Sequence, residues 1–123
     1  MKESVALSPQ NSLILVMGHE LGEIPDYFGS ELVAATGSCL AIGTLAAPDG
    51  ETTITFADST EDIEGVELVY DGVLSTPNKE VAVCDVLGEK LIVMPSAASF
   101  TRIKIFANDL TEPDQIVIVA QPA

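Results

Sequence analysis

The sequence contains no tryptophan, one histidine, two cysteines and only five lysine or arginine residues in 123 positions. No run of cysteine and histidine has the spacing of a zinc site, and neither a phosphate-binding loop nor a dinucleotide-binding glycine fingerprint occurs. Nucleophilic catalysis needs a base beside the nucleophile, and His19 is the one histidine that could serve Cys39. The apolar neighbours of Cys39 argue against an activated thiol. We therefore predict a protein that is not an enzyme and needs no cofactor or metal.

Long apolar runs are also missing. The longest near the start, Leu13 to Met17, is far shorter than the roughly 20 apolar residues that cross a bilayer. Glu3 and the Pro9-Gln10-Asn11 step interrupt the pattern of a secretory signal. These features predict a soluble, cytoplasmic protein.

Positive charge is scarce, and its distribution is uneven. Nineteen acidic residues against five basic ones give a formal net charge of −14, and no lysine or arginine occurs between Glu3 and Asn78. Such a field repels phosphate backbones and anionic lipid, which argues against nucleic-acid or membrane partners, and it attracts a basic protein partner. The alternative is that the acidic residues only keep a β-rich protein soluble.

The two cysteines, Cys39 and Cys84, lie within apolar runs typical of strands. A free thiol in such a place behaves as a small buried apolar side chain. A disulfide between them would require the fold to bring the two strands together, and the sequence leaves this open.

The pattern of apolar residues indicates strands throughout the chain. They recur at every second position or in short β-branched runs, and turn residues separate them about every 8 to 12 positions. This predicts one all-β domain over residues 1–123, a mainly antiparallel β-sandwich of eight or nine strands with at most one short helix. The candidate strands are Val5–Leu7, Leu13–Met17, Ser38–Leu45, Thr52–Ala57, Val66–Leu74, Glu80–Val86, Lys90–Met94, Thr101–Ala107 and Gln115–Ala120.

The connections carry turn residues, and we expect them to form hairpins. They are Pro48-Asp49-Gly50, Thr76-Pro77-Asn78, Gly88 and Glu112-Pro113-Asp114. The long segment between Gly18 and Thr36 is the place for the short helix, over Pro25 to Ala35. Two strands, Leu13–Met17 and Ile116–Val119, are apolar on both faces, as expected for strands in the centre of a sheet or covered by a second subunit.

One short stretch concentrates acidic side chains near an aromatic residue. Acidic groups around an aromatic anchor suit docking onto a basic protein cleft. The stretch also offers oxygen ligands for calcium, but Ile63 occupies the glycine position of an EF-hand loop. We therefore predict a partner-binding surface formed by Glu61, Asp62, Glu64, Glu67, Tyr70 and Asp71.

The run Leu32-Val33-Ala34-Ala35-Thr36-Gly37-Ser38-Cys39-Leu40-Ala41-Ile42-Gly43-Thr44-Leu45 resembles the early part of the competence protein J family. As in that family, the Gly43-Thr44-Leu45 step leads through a short turn into a further strand. The family consists of small inhibitors of a DNA-entry nuclease. The resemblance implies an inhibitor that binds a nuclease, with no individual residue role carried over.

The sequence thus favours a non-enzymatic acidic protein-binding module, an inhibitor or immunity-type partner of a basic enzyme such as a nuclease. A second hypothesis is a structural β-domain that associates with copies of itself through its doubly apolar strands. A third is a β-sandwich that binds a small molecule with His19 and carboxylates of the long segment.

Overall fold

The computed structural model of the chain describes residues 2–8, 13–18, 32–45, 49–60, 63–87, 89–96 and 98–122. These residues form ten β-strands and contain no α-helix. The strands are β1 (Lys2–Leu7), β2 (Leu13–Met17), β3 (Val33–Ala35), β4 (Cys39–Gly43), β5 (Thr52–Ala57), β6 (Glu67–Ser75), β7 (Glu80–Cys84), β8 (Lys90–Pro95), β9 (Phe100–Ala107) and β10 (Gln115–Pro122).

The strands form two five-stranded sheets. Sheet A has the order β1-β5-β10-β9-β6, and sheet B has the order β3-β4-β2-β7-β8. Neighbouring strands are antiparallel except for β5 and β10, which pair in parallel. The predicted all-β, mainly antiparallel β-sandwich is therefore confirmed.

Each of the nine candidate segments overlaps one strand, but the predicted number of strands was too low by one. The additional strand is β3, which lies within the segment where we expected a helix. Its sequence, Val-Ala-Ala, is too short to display alternation, and it forms a strand because β4 offers a partner edge. The rest of the predicted helix, residues 25–31, lies outside the described residues.

One apolar core lies between the sheets. Every second side chain of each strand points inward, so that residues such as Ile54, Phe56 and Ile105 of sheet A meet Ile14, Val16 and Leu40 of sheet B. These side chains have essentially no exposed surface. Burial at roughly 25 cal/mol per Å² of apolar surface makes this contact the main source of stability.

A second apolar cluster lies on the face of sheet B that is turned away from this core. It consists of Leu15, Met17, Cys39, Ala41, Ala82 and Cys84, all from β2, β4 and β7. All six are buried, with at most 7% of their surface exposed. The doubly apolar β2 is therefore a central strand buried on both faces, as its sequence predicts.

The expected hairpins are present at two of the four predicted turns. Strands β7 and β8 pair antiparallel, although Gly88 itself lies outside the described residues, and the Glu112-Pro113-Asp114 turn precedes β10, which pairs with β9. The other two turns join strands of different sheets, β4 to β5 and β6 to β7. For these two the prediction was wrong, because turn residues mark a reversal of the chain without selecting its next partner strand.

Buried hydroxyl groups stabilise the crossing from sheet A to sheet B. Thr76 follows β6, and its Oγ1 lies 2.9 Å from Oγ1 of Thr101 in β9 and donates to the carbonyl oxygen of Ala98 at 2.8 Å. Ser96 Oγ lies 2.5 Å from the same Thr101 hydroxyl. Both threonines are at most 1% exposed, so these hydroxyl groups depend on one another for hydrogen bonds.

Replacing Thr101 with valine keeps the shape of the side chain and removes the hydroxyl shared by Thr76 and Ser96. We expect Thr101→Val to lower the free energy of unfolding by about 1 to 3 kcal/mol, the cost of leaving buried polar groups with fewer partners. Urea denaturation followed by circular dichroism measures the change. Thr53→Val, on the exposed face of the same sheet, is the matched control and should change stability by less than about 0.5 kcal/mol. Equal losses in the two variants would contradict the role assigned to the hydroxyl cluster.

Candidate protein-binding groove

The two sides of the sandwich at which the edges of the sheets meet differ in how closely the edge strands approach each other. On one side the edge strands β1 and β8 lie against each other. On the other side, between β3 and β6, a groove of about 570 Å³ remains, lined by Leu32, Val33, Ala35, Leu68, Val69, Tyr70 and Leu110. A second depression of about 410 Å³ adjoins it at Leu110 and is lined by Gly65, Val66, Glu67, Ala107, Asn108, Asp109 and Leu110. We refer to the two depressions together as the β3–β6 groove.

A β-bulge in β6 determines which of its side chains reach the groove. Leu68 pairs with Phe106 and Tyr70 with Ile105, so Val69 is an additional residue without a partner position in β9. Because opposite residues of an antiparallel pair share a face, Tyr70 lies on the same side as the buried Ile105. The bulge therefore turns the aromatic ring toward the groove.

Tyr70 is half-buried and packs against the main core. Its ring lies over Gly72, where an added Cβ atom would overlap the phenol oxygen. Burial, and after it the carboxylate of Asp71, raise the pKa of the Tyr70 phenol above its ordinary value. The side chain therefore presents an aromatic surface and a protonated hydroxyl group at the groove.

Asp71 lies on the other face of β6. Its two carboxylate oxygens accept hydrogen bonds from Nε and Nη2 of Arg102 at 2.9 and 2.6 Å. The hydrogen bond to Arg102 lowers the pKa of Asp71, as do the charges of Arg102 and Lys104. The sequence predicts Tyr70 and Asp71 as parts of one surface, but the strand separates them and Arg102 neutralises the carboxylate.

Two of the other predicted acidic residues, Glu64 and Glu67, lie at the end of the groove where β6 begins. Glu67 lines the smaller depression, and Glu64 is exposed just before Gly65, whose φ of 75° marks a turn. Glu61 and Asp62 lie outside the described residues. Of the six predicted residues, the groove therefore contains Glu67 and Tyr70 in its lining.

Sequence reasoning missed the contribution of the β9–β10 loop. Asp109 Oδ1 accepts hydrogen bonds from the backbone N–H and hydroxyl of Thr111, at 2.8 and 2.9 Å, and from the backbone N–H of Glu112. These bonds lower the pKa of Asp109 and order the loop. The adjacent Leu110 is 70% exposed above the groove. The feature of the sequence that could have identified this residue is a leucine beside acidic residues within a predicted loop.

The described part of the chain contains no group of three or more histidine, cysteine, aspartate or glutamate side chains that could hold a metal ion. His19 lies outside that part. No helix formed by the described residues is long and apolar enough to span a membrane.

Cys39 and Cys84 are free thiols in the second apolar cluster. They lie on β4 and β7, and β2 runs between these strands. Two interstrand spacings amount to about 9 to 10 Å, beyond the reach of a disulfide. Burial raises the pKa of Cys84, and it raises that of Cys39 to about 12. Neither thiol has the properties of a nucleophile.

The buried thiols should react slowly in the folded protein. At pH 8 a thiol with the pKa of Cys39, about 12, is ionised in about one molecule in ten thousand, against about one in four at the ordinary value of about 8.5. We expect Ellman's reagent to label the native protein at least about a hundredfold more slowly than the protein unfolded in urea. Immediate labelling of one equivalent in the native protein would contradict the buried, protonated state.

Comparison with known proteins supports the architecture. No family model matches the chain, and no curated protein matches it. Among solved structures, an inhibitor protein is similar over nearly the whole chain. It is ComJ, inhibitor of the DNA degrading activity of NucA, from Bacillus subtilis, with a TM-score of 0.63, 13% identity and coverage of 98% of this chain and 96% of that chain. The resemblance that the sequence indicates is confirmed at the level of the fold.

Proposed function

We propose that this chain is a non-enzymatic inhibitor that binds a basic enzyme, such as a nuclease, through the β3–β6 groove. The observation that carries the proposal most is the similarity to ComJ, which extends over 98% of the chain. A fold shared with an inhibitor supports this hypothesis by analogy only. The physical reason to expect partner binding comes from the surface of this chain.

The groove combines the two kinds of contact that a protein interface needs. Tyr70, Val33 and Val69 offer an apolar centre from which water can be excluded. Glu64, Glu67 and Asp109 lie at its acidic end. Apolar anchors supply most of the affinity of an interface, and the surrounding charges select a basic partner.

The β9–β10 loop is ordered before any partner binds. Asn108 Oδ1 accepts backbone hydrogen bonds from Asp114 and Gln115 at 3.2 Å each, in addition to the bonds made by Asp109. A loop already held in one conformation loses little entropy on binding. We assign to Leu110, at the top of this loop, a direct contact with the partner.

Long-range charge adds to these contacts. With a net charge of −14, the chain attracts a basic enzyme from a distance and orients it when salt is low. At physiological ionic strength this attraction is screened beyond about 8 Å. Glu61 and Asp62 belong to the proposed surface as predicted from the sequence, whereas Asp71 contributes less because Arg102 neutralises it.

Charge reversal at the groove tests the proposal. The chain is immobilised, basic proteins are captured from an extract of the source cells at low salt, and DNA degradation by the captured fraction is measured with and without free chain. We expect the unmodified chain to inhibit degradation, and the double variant Glu64→Lys/Glu67→Lys to bind at least about tenfold more weakly.

The matched control is Glu3→Lys/Glu89→Lys, which changes the net charge by the same amount. Both residues are exposed and lie in or next to β1 and β8, the edge strands on the side of the sandwich away from the groove. It should keep most of the inhibition. Equal losses of inhibition in both double variants would show that net charge alone causes the effect, and would contradict binding through a specific groove. Capture of no basic DNA-degrading enzyme would overturn the proposed function.

The aromatic anchor provides an independent test. Tyr70→Ala removes the ring from the groove, and we expect about a tenfold or greater loss of affinity for the captured enzyme. Tyr70→Phe keeps the ring and should bind within a few-fold of the unmodified chain. The dissociation rates of both variants, measured on the immobilised enzyme, distinguish a contact made by the ring from one made by the hydroxyl. Unchanged dissociation of Tyr70→Ala would exclude the ring as an anchor.

A further inference from the structure

Strand β6 forms one edge of sheet A, and part of its backbone points away from the sheet. β9 is its one neighbour in the strand order. The N–H of Ser75 donates to the carbonyl oxygen of Gly37, which places it on the side of β6 opposite to β9. Because backbone polar groups point to alternate sides of a strand from one residue to the next, the N–H and C=O groups of Val73 and Asp71 lie on that same side. We call this side of β6 the free edge.

The free edge lacks backbone partners over most of its length. Among the described residues of β6, Ser75 alone forms a backbone hydrogen bond across it. Asp71 and Val73 are both exposed, and 52% of the surface of Val73 is accessible to solvent. An edge of this kind is a template on which another chain can add a strand.

The other three edge strands carry features that discourage such pairing. β3 has only three residues, and β1 and β8 lie against each other. β8 also begins with Lys90 and ends with Pro95. Short length, lysine and proline are common protections of sheet edges. β6 has nine residues and neither lysine nor proline, and its bulge lies near its start, so that Tyr70 to Ser75 pair regularly with β9.

The β3–β6 groove lies directly beside the free edge. Its lining includes Tyr70 of β6 and Val33 of β3, the edge strands that face each other across the two sheets. A strand added to β6 would direct every second side chain toward this groove and the others to the outer side, next to the exposed Val73. Edge and groove together have the arrangement used in peptide recognition by strand addition.

We propose, on the basis of the inhibitory function proposed above, that the free edge of β6 binds an extended, basic segment of the enzyme as an additional strand of sheet A. Backbone hydrogen bonds to Asp71 and Val73 supply affinity in this contact. The groove selects the side chains of the segment that point inward.

The charges along β6 favour lysine or arginine in the segment. Glu67 lies at the start of β6 and lines the groove, and Glu64 is exposed just before that strand. The carboxylate of Asp71 is paired with Arg102 and contributes little. Antiparallel pairing is the more stable of the two orientations, and it places the C-terminal end of the segment beside the two glutamates. Basic side chains at that end complement them.

A defined peptide tests the free edge without the enzyme. The probe is a fluorescent peptide of about eight residues in which valine and lysine alternate, so that lysines pair with the edge while valines enter the groove. Its control carries N-methyl groups on the backbone nitrogens of the lysines and has the same charge. We expect fluorescence anisotropy at about 50 mM NaCl to give a Kd below about 1 mM for the probe, and binding at least about tenfold weaker for the control.

Proline substitutions locate the contact on the protein. Val73→Pro removes an N–H from the free edge without removing a bond to β9, and it should weaken binding of the probe at least about tenfold. The matched control is Val93→Pro in β8. The Ser96 N–H donates to the carbonyl oxygen of Lys79 beside β7, so alternation places the N–H of the exposed Val93 on the outer edge of β8. Val93→Pro should bind the probe as the unmodified chain does, and circular dichroism melting confirms that both variants are folded.

Four results would overturn the proposal. The first is absence of probe binding below about 1 mM, and the second is equal binding of the probe and its N-methylated control, which would show that charge alone causes the contact. The third is an equal loss in Val73→Pro and Val93→Pro. The fourth is a dimer of the chain alone, seen by sedimentation velocity and abolished by Val73→Pro, because a second copy would then occupy the edge.

The enzyme captured in the inhibition experiment separates this proposal from the proposed function. If Val73→Pro inhibits the enzyme as well as the unmodified chain does, the inhibitory function stands and the added strand is excluded. If the probe binds as expected and no basic enzyme is captured, the free edge is supported as a site for an extended basic segment and the proposed function fails.

Discussion

Packing of the two inner sheet faces against each other is the contact on which the rest of this structure depends. Side chains such as Phe56, Ile103 and Ile42 have no exposed surface, and they come from strands far apart in the chain. Since side chains alternate across a strand, fixing the inward residues also fixes the outward ones. Core packing therefore constrains only the inward residues, and the outward residues of the two sheets can differ in composition.

The two outer faces of the sandwich differ in composition. The outer face of sheet B is apolar and buried around Cys39 and Cys84. The outer face of sheet A is mixed: Val119 and Ala57 are buried on it, whereas Asp71 and Arg102 form an ion pair at its surface. Among the described residues, Glu64, Glu67 and Asp109 place acidic side chains at the end of the β3–β6 groove.

The bulge at Val69 determines how the predicted binding residues are divided between these surfaces. Without the extra residue, Tyr70 would take the outward position that Asp71 occupies. With it, the ring turns toward the groove and the carboxylate toward Arg102. A bulge is a difference in residue count between paired strands, and it cannot be read from β6 before its partner strand is known.

Sequence alone determined the elements of this protein that depend on local pattern. Alternation in Thr52–Ala57 and Thr101–Ala107 predicted strands, doubly apolar β2 predicted a central position, and the scarcity of histidine and cysteine argued against catalysis. These features are local because strand periodicity and side-chain chemistry act within a few residues. Tertiary structure alone decided that β3 is a strand, that two turns cross between sheets, and that Leu32 and Leu110 meet in one groove. The physical reason is that pairing between strands is non-local, so its outcome depends on which distant segments can bury their apolar faces together.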